Sequence, residues 1–320
     1  MNVNRFAFVL AFLSLSAHGA DIWTESASTS SPAVNVFFEG KVVAGDYVRL
    51  RTLLKEQGPK VERVYLFSPG GDLGQALQIS ELIKRLQLRT SGPAVWYDDT
   101  VRPVPECRAG RPRDPRNCMC ASSCFVILAA GGERDRSVLA VHRPAFEPEA
   151  FGALPLSEAE ARYEKLLSRM GEYIDSLRVP ADLKEKMLST PARDAYIFES
   201  PDEMIGLAPA FDEWIAARCK TLSRADESKY YGLAFKANRG RATPAEREQI
   251  AAMAPRVQSA ALCRELEKLK RRFQLFSDYF GVDYESQLRG KCRRTSWSRR
   301  HKRLAGFSRE NFTATSNGNS

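Results

Sequence analysis

Phe67 to Ile83 reads FSPGGDLGQALQISELI. The apolar run from Val61 reaches a Ser-Pro-Gly-Gly turn and passes at once into apolar positions at helical spacing, the pattern of a strand entering a helix. Glycines at such a βα turn let the backbone approach a ligand. They also leave N–H groups facing the crevice beyond the strand, where they can hold a phosphate or stabilise an oxyanion. A tight turn alone would account for the same residues.

The pattern extends in both directions. Upstream, AVNVFFEGKV (Ala33–Val42) alternates as a strand and YVRLRTLLKEQ (Tyr47–Gln57) has helical spacing. Downstream, LRTSGPAVWY (Leu88–Tyr97) reads as another strand, and an irregular Pro/Arg-rich segment follows from Asp98 to Asn117. SSCFVILAAGG (Ser122–Gly132) then reads as a buried helix closed by glycines, and RSVLAVHRP (Arg136–Pro144) as a short strand ending at His142. This alternation predicts an α/β domain with largely parallel strands, each helix covering the sheet. Past Pro148, Leu156–Val179 reads as one long helix, with Ser157 and Glu160 spaced as a capping box. ADLKEKMLS is a second, short helix, and Ala192–Ala208 a strand leading to a helix start. From Trp214 onward only helical and polar patterns remain, and the last residues, NFTATSNGNS, are too polar to order themselves.

Four segments are therefore expected: a signal peptide over 1–20, an α/β domain over 21–212, an all-helical extension over 213–288 and a basic tail over 289–320. MNVNR followed by FAFVLAFLSLSA has the charge and length of a signal sequence, too short to span a bilayer, and AHGA offers small residues for cleavage near Gly19 or Ala20. Export to the periplasm or beyond follows, with no transmembrane span in the mature chain. The formal charge of +9 is concentrated: Arg289–Arg303, RGKCRRTSWSRRHKR, holds eight Lys/Arg and no acid. Such a tail suits an anionic envelope surface, and no nucleic-acid partner is expected of an exported protein with an otherwise neutral body.

Export makes disulfides the first reading of the seven cysteines, Cys107, Cys118, Cys120, Cys124, Cys219, Cys263 and Cys292. The odd number leaves one free or paired between chains. CMCASSCF (Cys118–Phe125) has the sulfur density of a metal site, but no second C-x-x-C and no nearby histidine completes four ligands, so no metal is expected. Cys107 and Cys118 could close the Pro/Arg-rich loop, which would act as a lid or as a tied surface loop. Of the three histidines, His18 leaves with the signal and His301 lies in the basic tail, so a general base would have to be His142.

Taken in order, FSPGGDLGQALQISELI, ASSCFVILAAGGERDR, SVLAVHRP and DAYIFESPDEMIGL resemble the Clp protease proteolytic subunit and the wider crotonase superfamily. The resemblance covers roughly Val34 to Ala210 and implies a core of repeated β-β-α and βα units. In that family the nucleophilic serine lies nine residues before the glycine of the L-A-A-G-like sequence, which places it at Ser122 when counted back from Gly131. The resemblance implies His142 as general base, Asp194 as the acid that orients it, an oxyanion hole from the N–H groups of Gly70 and Ser123, and Gly71 as a supporting turn. Glu199 and Asp202 stand close to Asp194 in the chain as alternatives. It further implies serine-dependent hydrolysis of peptide bonds without a cofactor, a homo-oligomer with Ser157–Val179 as a contact helix, and a flexible or unfolded polypeptide as substrate. An acyl-CoA reaction is disfavoured for an exported chain. The competing expectation is a catalytically inactive relative serving as a binding or scaffolding module of the envelope.

Overall fold

The computed structural model describes residues 19–29, 32–97, 103–106, 117–145, 152, 154–219 and 222–286. Residues 1–18, most of the Pro/Arg-rich loop and the basic tail lie outside the described residues, as do Cys107, Cys292 and both outer histidines.

The chain is a mixed α/β fold with a helical C-terminal region. Its larger sheet runs in the order β1 (Asp21–Ser26), β2 (Val34–Glu39), β3 (Val61–Phe67), β4 (Arg89–Ser91), β8 (Glu133–Arg134) and β11 (Gly206–Leu207). The parallel centre consists of β2, β3, β4 and β8. Each edge is antiparallel: β1 pairs with β2, and β11 with β8. Strand β1 carries no alternating apolar signal in DIWTES, and sequence reasoning passed over it. A smaller sheet of β10 (Tyr196–Glu199), β9 (Val138–Val141) and β7 (Cys120–Ala121) is parallel between β7 and β9 and antiparallel between β9 and β10.

One face of β2 and β3 presents Val36, Phe38, Val64 and Leu66, all fully buried. Against it pack α1 (Asp46–Gln57) through Leu50 and Leu54, and α2 (Leu73–Leu86) through Ala76, Ile79 and Ile83. The opposite face stacks Trp23 on Phe37 and Phe37 on Tyr65, with ring centroids 5.1 and 4.8 Å apart. Burial on both faces explains why VFF and YLF read as apolar runs as much as alternations. The segment expected as one strand over Leu88–Tyr97 is divided at Gly92-Pro93 into β4 and β5 (Ala94–Tyr97), which pairs with β6 (Pro103–Glu106). Proline lacks the N–H that would continue the ladder.

Helix α3 (Ser123–Ala129) is buried throughout. Helix α4 (Leu156–Ser176) starts one residue before the expected capping serine: Pro155 is its N-cap, and no side chain caps it. Ser157 already lies in the first turn, so the Ser157/Glu160 capping box does not form. Helices α5 (Ala181–Ser189) and α6 (Pro209–Ala216) follow. The helix start expected within Asp202–Ala208 is only a single 3-10 turn before β11. Helix α7 (Arg224–Asn238) leads to α8 (Pro244–Phe280), where the capping box is real: Thr243 Oγ1 accepts from Glu246 N–H, and Glu246 accepts from Thr243 N–H. The helical region shares the main core, since Phe276, Phe280 and Tyr284 belong to the same buried cluster as β2, β3 and α2. Tyr284 also donates to the carbonyl of Lys55 at the end of α1.

Candidate active site

Beyond Phe67 the chain leaves β3 and is held between two neighbours. Ser68 N–H donates to Met119 and Ala121 N–H donates to Ser68, so the end of β3 is stitched to β7. Val42 N–H donates to Gly70, and Asp72 N–H donates to Val42, fastening the other side of the turn. Gly70 and Gly71 hold φ of 94° and 142°, where an L side chain is strained. A Cβ on Gly70 would stand 2.7 Å from both the Ala121 carbonyl oxygen and Ser122 Cβ, so this turn lies directly on the start of α3.

Ser122 is the N-cap of α3, with φ 56° and ψ −124°. It falls outside the left-handed helical well, in territory that residues with a Cβ rarely enter, at a cost of order 1–3 kcal/mol. Its N–H donates to Ala140 of β9 and its carbonyl accepts from Phe125, so both flanking elements hold the turn. Its hydroxyl does not cap the helix. Ser123 follows, buried, with an Oγ that has no hydrogen-bond partner. Its N–H belongs to the first turn of α3, where no carbonyl of the same helix can accept it.

His142 stands at the end of β9. Its Nδ1 lies 2.8 Å from the carbonyl oxygen of Arg143. A carbonyl can only accept, so Nδ1 is the donor in this contact, and in the neutral ring that leaves the lone pair on Nε2. Arg143 N–H in turn donates to Thr190, anchoring that carbonyl to the segment after α5.

Ser122, Ser123, His142 and Gly71 all line one cavity of about 660 Å³. Lys41 and Asp72 lie at its polar side, while Leu166 and Met170 of α4 and Met187 of α5 supply an apolar wall. Asp72 already caps α2 by accepting from Gln75 N–H.

The structure therefore brings together Ser122, His142, Ser123 and Gly71, and departs from expectation at two residues. Gly70 N–H donates to Ser68 Oγ at 3.0 Å, so the donor assigned to the oxyanion hole is already engaged. Asp194 is not bonded to His142: its side chain is 58% exposed and pairs with Arg193 at 3.9 Å, and Arg143 occupies the Nδ1 position it was expected to take. The alternatives fare no differently, because Glu199 and Asp202 both engage Arg136, an ion-pair cluster on the smaller sheet. Sequence reasoning missed Ser68 and the Arg143 carbonyl. The serine of SPGG was visible, but a backbone carbonyl leaves no mark in a sequence.

Cys120 and Cys124 are disulfide-bonded to each other, as are Cys219 and Cys263, and Cys118 is also in a disulfide. No cluster of His, Cys, Asp and Glu suited to a metal occurs among the described residues. No described helix is long and apolar enough to cross a membrane. Compared with protein-family models and with curated proteins, the chain gives no match.

Proposed function

We propose that this chain is an exported serine hydrolase, a peptidase of flexible or unfolded polypeptides built on a Clp-protease-like, crotonase-type core. The observation that carries the reading is Ser122: a half-buried serine in a glycine-like conformation at a helix start, on the wall of the cavity that His142 also lines. A free serine hydroxyl is a weak nucleophile. Here His142 Nε2 takes its proton as Oγ attacks the carbonyl carbon, and returns it to the leaving amine. The Arg143 carbonyl fixes the tautomer in place of a carboxylate. The Ser123 N–H is one oxyanion donor, and Gly71, the glycine of the turn that lines the cavity, supplies the second. Losing one such donor costs about 3 kcal/mol of transition-state stabilisation. Disulfides among the described residues support export. In the same reading the protein works as a homo-oligomer, and Arg289–Arg303 contacts an anionic surface.

A second reading has a specific observation behind it. A carbonyl on Nδ1 stabilises an imidazolium less than a carboxylate would, which suits a relative that binds unfolded chains without cleaving them. Hydrolysis of a permanently unfolded polypeptide by wild type, Ser122→Ala and His142→Ala separates the two. Cleavage by wild type, none by Ser122→Ala and a loss of about 10²–10⁴-fold in His142→Ala are expected. Binding without cleavage by folded wild-type protein would establish the scaffold instead.

A further inference from the structure

The two disulfides that can be followed at both ends differ in span. Cys219 and Cys263 are 44 residues apart, whereas Cys120 and Cys124 are only four apart, with Ser122 midway between them. A cross-link over so short a loop removes little freedom from the unfolded chain, so its effect is local. Cys120 lies in β7, held by pairing with Leu139 and by a bridge to Ser68. Cys124 is the second residue of α3, and both cysteines are fully buried.

Resting on the serine-hydrolase reading of the site, we infer that Cys120 and Cys124 are positioning residues for Ser122, and that the serine becomes a competent nucleophile only once they are joined. If the bond opens, the two sulfurs must move from bonding distance to van der Waals contact inside a close-packed interior. The ladder fixes Cys120 on one side, and α3, packed on α2 and β3, fixes Cys124 on the other. The three residues between them, Ala121, Ser122 and Ser123, absorb the displacement. Of these, Ser122 is the one in a sparsely populated conformation, so it has the most free energy to gain by relaxing. Relaxation turns its Oγ away from His142 and carries the Ser123 N–H out of line with it.

The bond forms by exchange with a disulfide oxidant. One cysteine thiolate attacks the oxidant and releases a thiol; the second attacks the mixed disulfide and releases another. The cysteine pair loses two electrons, the oxidant gains them, and two protons pass to the released thiols or to solvent. In a reducing cytosol the reaction does not persist, so the nascent chain would carry an uncocked serine until it reached an oxidising compartment. The fully buried sulfurs then keep the bond closed.

The test compares reaction of a fluorophosphonate with wild type, Cys120→Ala/Cys124→Ala and Cys219→Ala/Cys263→Ala, each below its melting temperature. In the first pair the limiting rate of labelling should fall about 10–100-fold, as for a reacting group displaced by an ångström, while the half-saturating probe concentration stays unchanged. The second pair should label as wild type does. Should the alanine pair not fold, Cys120→Val/Cys124→Ala restores apolar volume and is held to the same outcome. Wild-type limiting rates in a folded Cys120/Cys124 variant would overturn the inference. Absence of labelling in wild type would instead reject the hydrolase reading. The inference would then stand or fall on a crystal structure of the variant, where a retained positive φ at Ser122 contradicts it.

Discussion

Gly70 has no room for a side chain. A Cβ there meets the Ala121 carbonyl oxygen and Ser122 Cβ at 2.7 Å, and its φ of 94° strains any L residue. Gly70→Ala should therefore destabilise the protein by about 2–4 kcal/mol in urea unfolding, since backbone strain and overpacking act together. It should also abolish reaction at Ser122, because the two residues are in direct apposition. Ser68→Ala should cost less, about 1–2 kcal/mol, through the unsatisfied Gly70 N–H it leaves behind. If it leaves reaction at Ser122 intact, Ser68 braces the turn and takes no part in the chemistry. At this scale the site was half legible. Serine at a helix start, histidine at a strand end and a Gly-Gly turn are readable because each residue type has a restricted set of uses. Asp194 could not be settled by spacing, since bonding to Nδ1 depends on how the segment after α5 folds, and Nδ1 meets the carbonyl of the adjacent Arg143 instead.

Between elements, hydroxyl groups tie three helices together. Tyr173 of α4 lies 2.7 Å from Ser80 Oγ of α2, and Ser80 donates to the carbonyl of Val126 in α3. With the serine proton committed to Val126, Tyr173 is the donor in the first bond. Burial raises the Tyr173 pKa above its ordinary 10.0. A raised folded-state pKa means that the folded form holds the proton more tightly. The corresponding stability is fully present below pH 10.0 and is lost as pH rises through the folded value. Tyr173→Phe should flatten part of that alkaline loss and cost about 1 kcal/mol at neutral pH, both measurable by chemical unfolding across pH. The elements themselves were mostly legible, because apolar periodicity survives in α1, α2 and β3. The misses have separate causes. Strand β1 is held by pairing along its whole length with β2, which its own sequence does not signal. The capping box read at Ser157 loses to Pro155, whose fixed φ suits a helix start.

For the whole molecule, α8 is the element that ties the helical region to the main core. It reads as part of an appended helical extension, yet Phe276 is fully buried in the core built on β2, β3 and α2. Phe276→Ala should cost about 3–5 kcal/mol, and a chain ending at Ala242 should fail to give a cooperative transition. Breaking the Cys219–Cys263 bond should lower stability by about 4 kcal/mol at 25 °C on loop-entropy grounds, against about 2 for Cys120–Cys124, as thermal unfolding of the two alanine pairs would show. No sequence pattern distinguishes a helix that docks on its own domain from one that extends away from it, since both need only one apolar stripe. If Ser122 is the one serine prepared for nucleophilic attack, a fluorophosphonate should react with it alone. Peptide mapping by mass spectrometry after treatment of wild-type and Ser122→Ala protein reads this out. One adduct is expected, on Ser122, and none on the alanine variant. No adduct on folded wild-type protein, or one that persists in Ser122→Ala, would show that Ser122 is not the nucleophile.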